Sequence, residues 1–150
     1  MKDIIPFNKV FLSGDQTNFI KDAIKKGHLS GDGSYTKHCK NWLEEKTSCK
    51  SALITNSCTA ALEMAALLID LKPGDEIIMP SFTFVSTANA FVLRGAIPVF
   101  IDIREDTLNI DEGLIERAIT QKTKAIVVVH YGGVSCEMDH ILSIAQKSKI

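Results

Sequence analysis

Lys72-Pro-Gly-Asp-Glu-Ile-Ile-Met-Pro-Ser-Phe-Thr-Phe84 contains, in order, turn chemistry, a short apolar run and the start of a helical pattern. Pro73 presets φ and Gly74 permits a positive φ, so a turn is predicted before the apolar run. The run itself predicts a strand over 76–79, and a helix is predicted over 83–93. A strand that follows a turn and precedes a helix is the basic unit of α/β proteins.

The same alternation of apolar runs and helical segments continues over most of the chain. The further elements are strands predicted at 51–55, 96–101 and 125–129 and helices predicted at 59–70, 111–119 and 137–147. Pro98 favours an edge strand or an irregular strand start because proline cannot donate to a strand ladder. The strand at 125–129 is apolar on both faces and is expected at the centre. Asp111 is predicted to cap its helix. The spacing predicts an α/β fold with a mostly parallel sheet flanked by helices.

The first fifty residues have a different organisation. Amphipathic helices are predicted at 16–26 and 35–46, with a Gly-rich loop between them. We expect residues 1–34 to form an N-terminal arm, helix and Gly-rich loop, and residues 35–150 to form part of a large domain. The last helix reaches residue 150, where the βαβ rhythm calls for another strand, so the large domain is expected to be truncated there.

Charge and hydropathy exclude several classes of function. The 150 residues include 17 Lys and Arg and 18 Asp and Glu, for a net charge of −1. This balance argues against a nucleic-acid or membrane-surface partner attracted by bulk charge. No apolar run approaches the roughly 18 residues of a membrane span, and no secretory signal is recognisable. We therefore expect a cytoplasmic protein with no nucleic-acid or membrane partner.

The cysteines show no metal-binding pattern. Cys39, Cys49, Cys58 and Cys136 form no Cys-x-x-Cys pair and no zinc-like spacing with histidine. We expect no metal site, and we expect reduced, mostly buried thiols.

Ser57-Cys-Thr-Ala60 lies between a predicted strand and a predicted helix. Free N–H groups and the positive end of the helix dipole suit a phosphate there, although a simple helix cap is the alternative. The Walker pattern is absent, and Gly31-Asp-Gly33 lacks the third glycine of a dinucleotide fingerprint. These absences argue against an ATPase or a dehydrogenase.

Two further segments follow predicted strands, at the sheet edge where ligands collect in α/β proteins. Phe84 is suited to stack on a flat heteroaromatic ring, and a core phenylalanine at a helix start is the alternative. His130 opens His130-Tyr-Gly-Gly133 and is a candidate for the wall of a site. A histidine held by structural hydrogen bonds is the alternative there.

The motifs together resemble the pyridoxal-phosphate (PLP)-dependent nucleotide-sugar aminotransferases of the DegT/StrS type. The main segments are Thr55-Asn-Ser-Cys-Thr-Ala-Ala-Leu62, Pro73-Gly-Asp-Glu-Ile-Ile-Met-Pro-Ser-Phe-Thr-Phe84 and Val129-His-Tyr-Gly-Gly133. The match extends through Ile5-Pro-Phe-Asn8, Leu29-Ser-Gly-Asp-Gly33, Ser86-Thr-Ala-Asn-Ala-Phe-Val-Leu-Arg-Gly95 and Cys136-Glu-Met-Asp139. The order and spacing of these motifs along the whole chain carry the resemblance.

The resemblance implies the N-terminal part of a fold type I PLP-dependent transferase that acts as a cytoplasmic homodimer. It implies transfer of an amino group from L-glutamate to dTDP-4-keto-6-deoxy-D-glucose, giving dTDP-4-amino-4,6-dideoxygalactose. This reaction belongs to the synthesis of enterobacterial common antigen and to lipopolysaccharide biosynthesis. Carried onto this sequence, the family's phosphate-binding turn is Cys58, Thr59 and Ala60 with Ser57 beside it, and Phe84 is the ring that stacks on the pyridine.

The resemblance also implies a substrate loop, for which Gly31, Asp32 and His130 are the candidates. It implies that the lysine that forms a Schiff base with PLP, and the aspartate that pairs with the pyridine nitrogen, lie beyond residue 150. No catalytic residue is therefore expected in this chain, which is expected to be inactive alone.

Three alternatives stay open. One is a PLP-dependent nucleotide-sugar 3-dehydratase, in which a histidine replaces the Schiff-base lysine. Another is a truncated, non-catalytic domain that pairs with a subunit. The third, a generic nucleotide-binding module, is disfavoured by the missing glycine fingerprints.

Overall fold

A computed structural model describes residues 4–6 and 8–150. Phe7, within the motif of residues 5–8, and residues 1–3 of the predicted arm lie outside the described residues. The chain divides into two compact units, one that ends at Ile54 and one that spans Thr55–Ile150. The boundary predicted after residue 34 stays a prediction.

The unit that ends at Ile54 contains two helices, α1 (Gln16–Lys25) and α2 (Ser34–Thr47). Both predicted helices are therefore confirmed, and the Gly-rich segment between them is a loop of turns and bends. The Tyr35 hydroxyl donates a 2.7 Å hydrogen bond to Asp22 Oδ2. This bond joins the start of α2 to the middle of α1.

The second unit is an α/β arrangement. Its elements are α3 (Cys58–Leu68), β1 (Glu76–Pro80), α4 (Val85–Val92), β2 (Ile97–Ile101), α5 (Ile115–Ala118), β3 (Thr123–Ile126) and α6 (Met138–Ser148). The three strands form one parallel sheet in the order β2-β1-β3. The predicted α/β fold with a parallel sheet and flanking helices is confirmed.

The core lies on both faces of β1, because successive side chains of a strand point to opposite faces. Ile77 and Met79 pack with buried residues of α3, α4 and the residue before β2, and Ile78 packs with buried residues of β2, of α5 and α6, and of the segments that precede these two helices. The first cluster contains Ala66, Ala90, Phe91 and Ala96, and the second contains Ile101, Ile110, Ile115, Cys136, Ile141 and Ile144. Ile77, Ile78 and Met79 are fully buried. A strand covered on both faces reads as a continuous apolar run.

Two strand predictions are wrong. Residues 51–55 form no strand, and Leu53 in that segment is 60% exposed. An apolar run becomes a strand only when a neighbour satisfies its N–H and C=O groups, and none of the described strands pairs with it. Among the described strands, the segment predicted as the central strand contributes to β3, which lies at one side of the three-stranded sheet, and β1 lies at its centre. A strand that is apolar on both faces is expected to have helices packed on both faces of the sheet. This pattern does not show whether the strand lies at the centre or at the side of the sheet.

Several local predictions are confirmed. Gly74 has φ +90° in the turn before β1, and Pro98 lies in the edge strand β2. Asp111 caps the next helical segment by accepting a 3.0 Å hydrogen bond from Gly113 N. That segment is shorter than predicted, with a 3₁₀ turn at Glu112–Leu114 before the single turn of α5.

The expectation of mostly buried thiols is wrong. Cys136 is buried, whereas Cys39, Cys49 and Cys58 are exposed, and all four are free. Within the described residues, no helix has the length and apolar character needed to cross a bilayer.

Candidate active site

A cavity of about 470 Å³ lies where the carboxyl ends of β1 and β3 meet the start of α3. Its lining includes Cys58 and Thr59 of α3, Phe84 and Thr87 at the start of α4, and Val129 and Tyr131 after β3. Small-molecule sites of open parallel sheets lie at this edge, and the volume is in the usual range for them. The three segments singled out at 57–60, 80–84 and 130–133 therefore each contribute residues to one pocket.

The N-terminus of α3 offers unpaired donors to this pocket. Ser57 is the N-cap, with extended backbone angles, and its Oγ accepts a hydrogen bond from Ala60 N at 3.1 Å. Ala61 N bonds to the Ser57 carbonyl at 3.1 Å. Among the described residues, the amides of Cys58 and Thr59 and the Thr59 hydroxyl have no hydrogen-bond partner. These are the groups that a helix N-terminus presents to an anion.

Phe84 is the N-cap residue of α4, with extended backbone angles that carry its side chain to the pocket. The ring is 73% exposed. The alternative of a core phenylalanine is therefore wrong. An apolar ring with a free face beside a cavity is suited to contact a flat ligand.

Two side-chain contacts lie beside the pocket, one between its two main segments and one within the segment that follows β1. The rings of Phe82 and Tyr131 lie 4.7 Å apart between centroids with an interplanar angle of 38°. Thr83 and Thr87 share a hydrogen bond of 2.8 Å between their hydroxyl oxygens, and Thr87 is buried. The Phe82–Tyr131 contact therefore joins the connection after β1 to the turn after β3, while the Thr83–Thr87 bond fixes the start of α4.

His130 has a structural contact in this arrangement. Its Nδ1 accepts a 3.0 Å hydrogen bond from Cys136 N, which fastens the turn that follows β3. The neighbouring Tyr131 lines the pocket, and His130 does not. Its assignment to a substrate loop stays a prediction.

Gly31 and Asp32 lie in the other compact unit, in the loop between α1 and α2. His28 Nε2 donates a 3.0 Å hydrogen bond to the Gly31 carbonyl, and Asp32 has φ +60°. The loop is thus folded on itself locally. Its part in binding substrate also stays a prediction.

Sequence reasoning missed Asn109. Its side chain is buried, with 2% exposed, and it bonds to both Tyr131 N at 2.8 Å and the Val134 carbonyl at 3.0 Å. The signal present in the sequence is an amide residue between two apolar ones, Leu108 and Ile110. A buried polar side chain needs hydrogen-bond partners, but the sequence does not show which they are.

The pocket fits PLP. The two unpaired amides and the Thr59 hydroxyl are suited to a phosphate, while Phe84 and Val129 supply apolar contact for a flat ring. Within the described part of the chain, no lysine or arginine lines the cavity. What these residues offer a phosphate is therefore N–H and O–H donors and the helix dipole.

Comparison with known proteins gives a consistent result. The DegT/DnrJ/EryC1/StrS aminotransferase family model matches residues 12–150. The spore coat polysaccharide biosynthesis protein SpsC of Bacillus subtilis is 41% identical over 142 residues, which cover 95% of this chain and 36% of SpsC. The chain thus spans little more than a third of the length of this relative.

Two solved structures illustrate the similarity. Spr1654 of Streptococcus pneumoniae, assigned as a sugar aminotransferase and solved in its PMP form, is 32% identical with a TM-score of 0.86, covering 97% of this chain and 36% of that one. The E. coli GDP-4-keto-6-deoxy-D-mannose-3-dehydratase with bound hydrated PLP is 29% identical with a TM-score of 0.85, covering 97% of this chain and 39% of that one. Pyridoxal cofactors are therefore common to proteins of this fold and sequence. With a matching family model over nearly its whole length, a matching fold and a pocket of the right chemistry, the chain belongs to the DegT/DnrJ/EryC1/StrS aminotransferase family.

Proposed function

We propose that this chain forms the cofactor-binding part of a sugar aminotransferase whose complete polypeptide transfers an amino group from L-glutamate to dTDP-4-keto-6-deoxy-D-glucose. The product would be dTDP-4-amino-4,6-dideoxygalactose, used in enterobacterial common antigen and lipopolysaccharide biosynthesis. The observation that carries the proposal is the pocket at the sheet edge, where unpaired amides of α3 lie beside the exposed ring of Phe84.

Each proposed binding residue has a distinct task. The amides of Cys58 and Thr59 and the Thr59 hydroxyl bind the phosphate of PLP, while Ser57 and Ala60 hold the first helical turn in shape through their mutual hydrogen bond. Phe84 stacks on the pyridine ring. When bound, PLP supplies the electron sink that amino-group transfer requires.

The wider assignments belong to the same proposal. Residues 35–150 belong to the large PLP-binding domain, and residues 1–34 supply the arm and the loop of Gly31 and Asp32 that contacts the sugar nucleotide. His130, beside the pocket-lining Tyr131, is assigned to the substrate loop with Gly31 and Asp32. The complete protein acts as a cytoplasmic homodimer, and the Schiff-base lysine and the aspartate for the pyridine nitrogen come from sequence outside these 150 residues.

The test uses the complete protein loaded with PLP. We expect L-glutamate alone to convert the bound PLP to PMP, seen in the absorbance spectrum, with release of 2-oxoglutarate. Addition of dTDP-4-keto-6-deoxy-D-glucose should then restore PLP and give an amino sugar whose configuration NMR defines. A protein that binds PLP but leaves it unchanged in the presence of L-glutamate would contradict the transaminase assignment.

A dehydratase is the second candidate function, because the structural match to the E. coli 3-dehydratase covers 97% of this chain. The same experiment separates the two. A dehydratase would give a sugar that has lost its 3-hydroxyl group and gained no nitrogen, whereas a transaminase gives an amino sugar with every other hydroxyl retained.

A further inference from the structure

We propose that Asn109 is a positioning residue for the cofactor pocket, because its buried side chain fixes the turn after β3 and thereby places the Tyr131 ring in the pocket wall. The inference rests on the proposed function, since it assigns Asn109 a part in holding PLP. Asn109 itself does not line the cavity.

Asn109 holds both ends of the turn with one planar group. Its Oδ1 accepts a 2.8 Å hydrogen bond from Tyr131 N, and its Nδ2 donates a 3.0 Å hydrogen bond to the Val134 carbonyl. A side-chain amide offers an acceptor and a donor on two different atoms, whereas an ionised carboxylate only accepts. The residue type therefore matches the two bonds it makes.

The turn needs an external constraint because it is built around two glycines. Gly132 and Gly133 have φ of +60° and +84°, a region that glycine enters freely but that it does not enforce. Gly133 N bonds to the His130 carbonyl at 3.1 Å, and Val134 N bonds to the Tyr131 carbonyl at 3.0 Å. These local bonds close the turn without fixing its direction relative to the sheet.

A second anchor holds the base of the same turn. Cys136 N donates to His130 Nδ1 at 3.0 Å, and the Cys136 thiol donates to the Val129 carbonyl at 3.3 Å. Burial raises the pKa of this thiol, which keeps it protonated as a donor. Asn109 thus secures the outer part of the turn, while His130 and Cys136 secure its base.

The position of Tyr131 matters because its ring connects two sides of the cavity. Tyr131 lines the pocket and packs against Phe82, which precedes Phe84 in the connection after β1. Loss of Asn109 would leave the Tyr131 amide and the Val134 carbonyl without partners and would release the turn. The contact between the two pocket segments would then weaken.

Asn109 is itself held by a short hairpin-like segment. Its carbonyl accepts a 2.9 Å hydrogen bond from Arg104 N, and Ile103 pairs with Ile110 in an antiparallel bridge. The Arg104 side chain bonds to Asp106 and to Glu112. The side-chain amide of Asn109 therefore projects from a segment that is itself held by hydrogen bonds.

The variant Asn109→Ala in the complete protein tests the proposal by PLP titration. We expect the Kd for PLP to rise about tenfold. This change corresponds to about 1.4 kcal/mol, near the upper end of the usual contribution of one hydrogen bond. The matched control is Thr123→Val, at the end of β3 that is remote from the pocket. This substitution removes a buried hydroxyl whose oxygen accepts a 2.9 Å hydrogen bond from Thr120 N. The control should lower thermal stability and leave the Kd unchanged.

Equal effects of the two variants on PLP affinity, or no effect of Asn109→Ala, would overturn the proposal. Failure of the wild-type protein to bind PLP would instead contradict the proposed function, so the two failures are distinguishable.

Amide hydrogen exchange in the wild-type protein decides the question if Asn109→Ala does not fold. We expect the Tyr131 amide to be protected relative to the amide of Gly132, which has no acceptor among the described residues. Addition of PLP should slow exchange at Tyr131 further and leave the Thr120 amide unchanged. Exchange at Tyr131 that is as fast as at Gly132, or that is insensitive to PLP, would overturn the proposal.

Discussion

The Ser57 hydroxyl oxygen accepts a hydrogen bond from Ala60 N at 3.1 Å, so the first turn of α3 carries its own cap. A capped amide is already satisfied, which leaves the amides of Cys58 and Thr59 as the free donors at this helix end. The four residues that resemble a phosphate-binding turn therefore divide into two that hold the helix and two whose amides are free donors. Their substitution should have different consequences.

Ser57→Ala and Thr59→Val separate these two roles. Ser57→Ala should lower the free energy of unfolding by about 1 kcal/mol, the usual loss for an N-cap, with a small effect on PLP affinity. Thr59→Val keeps the side-chain shape and removes a donor to the phosphate, so the Kd for PLP should rise about tenfold or more. Denaturant unfolding and PLP titration measure the two quantities, with Thr120→Val as the control outside the pocket. Unchanged PLP affinity in Thr59→Val would contradict the phosphate assignment.

Phe84→Ala should weaken PLP binding with little loss of stability. The ring is 73% exposed, so its removal opens no core cavity. Aromatic stacking contributes about 0.5–1.5 kcal/mol beyond the buried area, and with that area the Kd should rise roughly tenfold. Phe100→Ala is the matched control, since Phe100 is also an exposed phenylalanine, in β2 and outside the pocket. The stacking role is wrong if both variants bind PLP as the wild-type protein does.

Cys58 reports pocket occupancy without any substitution. It is exposed and lines the cavity, whereas Cys49 is exposed in the other compact unit and Cys136 is buried with a raised pKa. PLP should protect Cys58 from a thiol reagent while Cys49 reacts at an unchanged rate and Cys136 remains the slowest. Mass spectrometry of the labelled peptides measures each rate. Equal labelling of Cys58 with and without PLP would place the cofactor elsewhere.

The Arg104–Asp106 pair should give a contribution to stability that depends on pH. The hydrogen bonds from Arg104 lower the pKa of Asp106 below its ordinary 3.8 in the folded protein. A folded-state pKa below the unfolded value means that the contribution is fully present above pH 3.8 and is lost as the pH falls through the folded-state pKa. The difference in unfolding free energy between the wild-type protein and Asp106→Asn should therefore be constant near neutrality and shrink in acid. A difference that grows in acid would contradict the pairing.

Turns, helix caps and the position of proline could be predicted from the sequence, because each depends on residues that are adjacent along the chain. Gly74 with its positive φ, Asp111 as a cap and Pro98 in an edge strand are of this kind, because each depends on a few adjacent residues. The alternation of apolar runs and helices predicted the α/β fold for the same reason. The segments of the pocket were also predictable, since residues that follow parallel strands meet at one edge of a sheet.

Tertiary structure decided what depends on distant partners. Asn109 bonds to Tyr131 across 22 positions of sequence, and no local pattern indicates which buried amide meets which turn. Among the described strands, β3 lies at one side of the sheet and not at its centre. The sequence did not show this, because an apolar run indicates that both faces of a strand are buried but not which strands lie beside it. Residues 51–55 form no strand because strand formation needs a pairing partner as well as apolar side chains. The sequence by itself thus determined most of the elements and the edge of the sheet that carries the pocket. Hydrogen bonding between distant segments decided the strand order and the contact of Asn109 with the turn after β3.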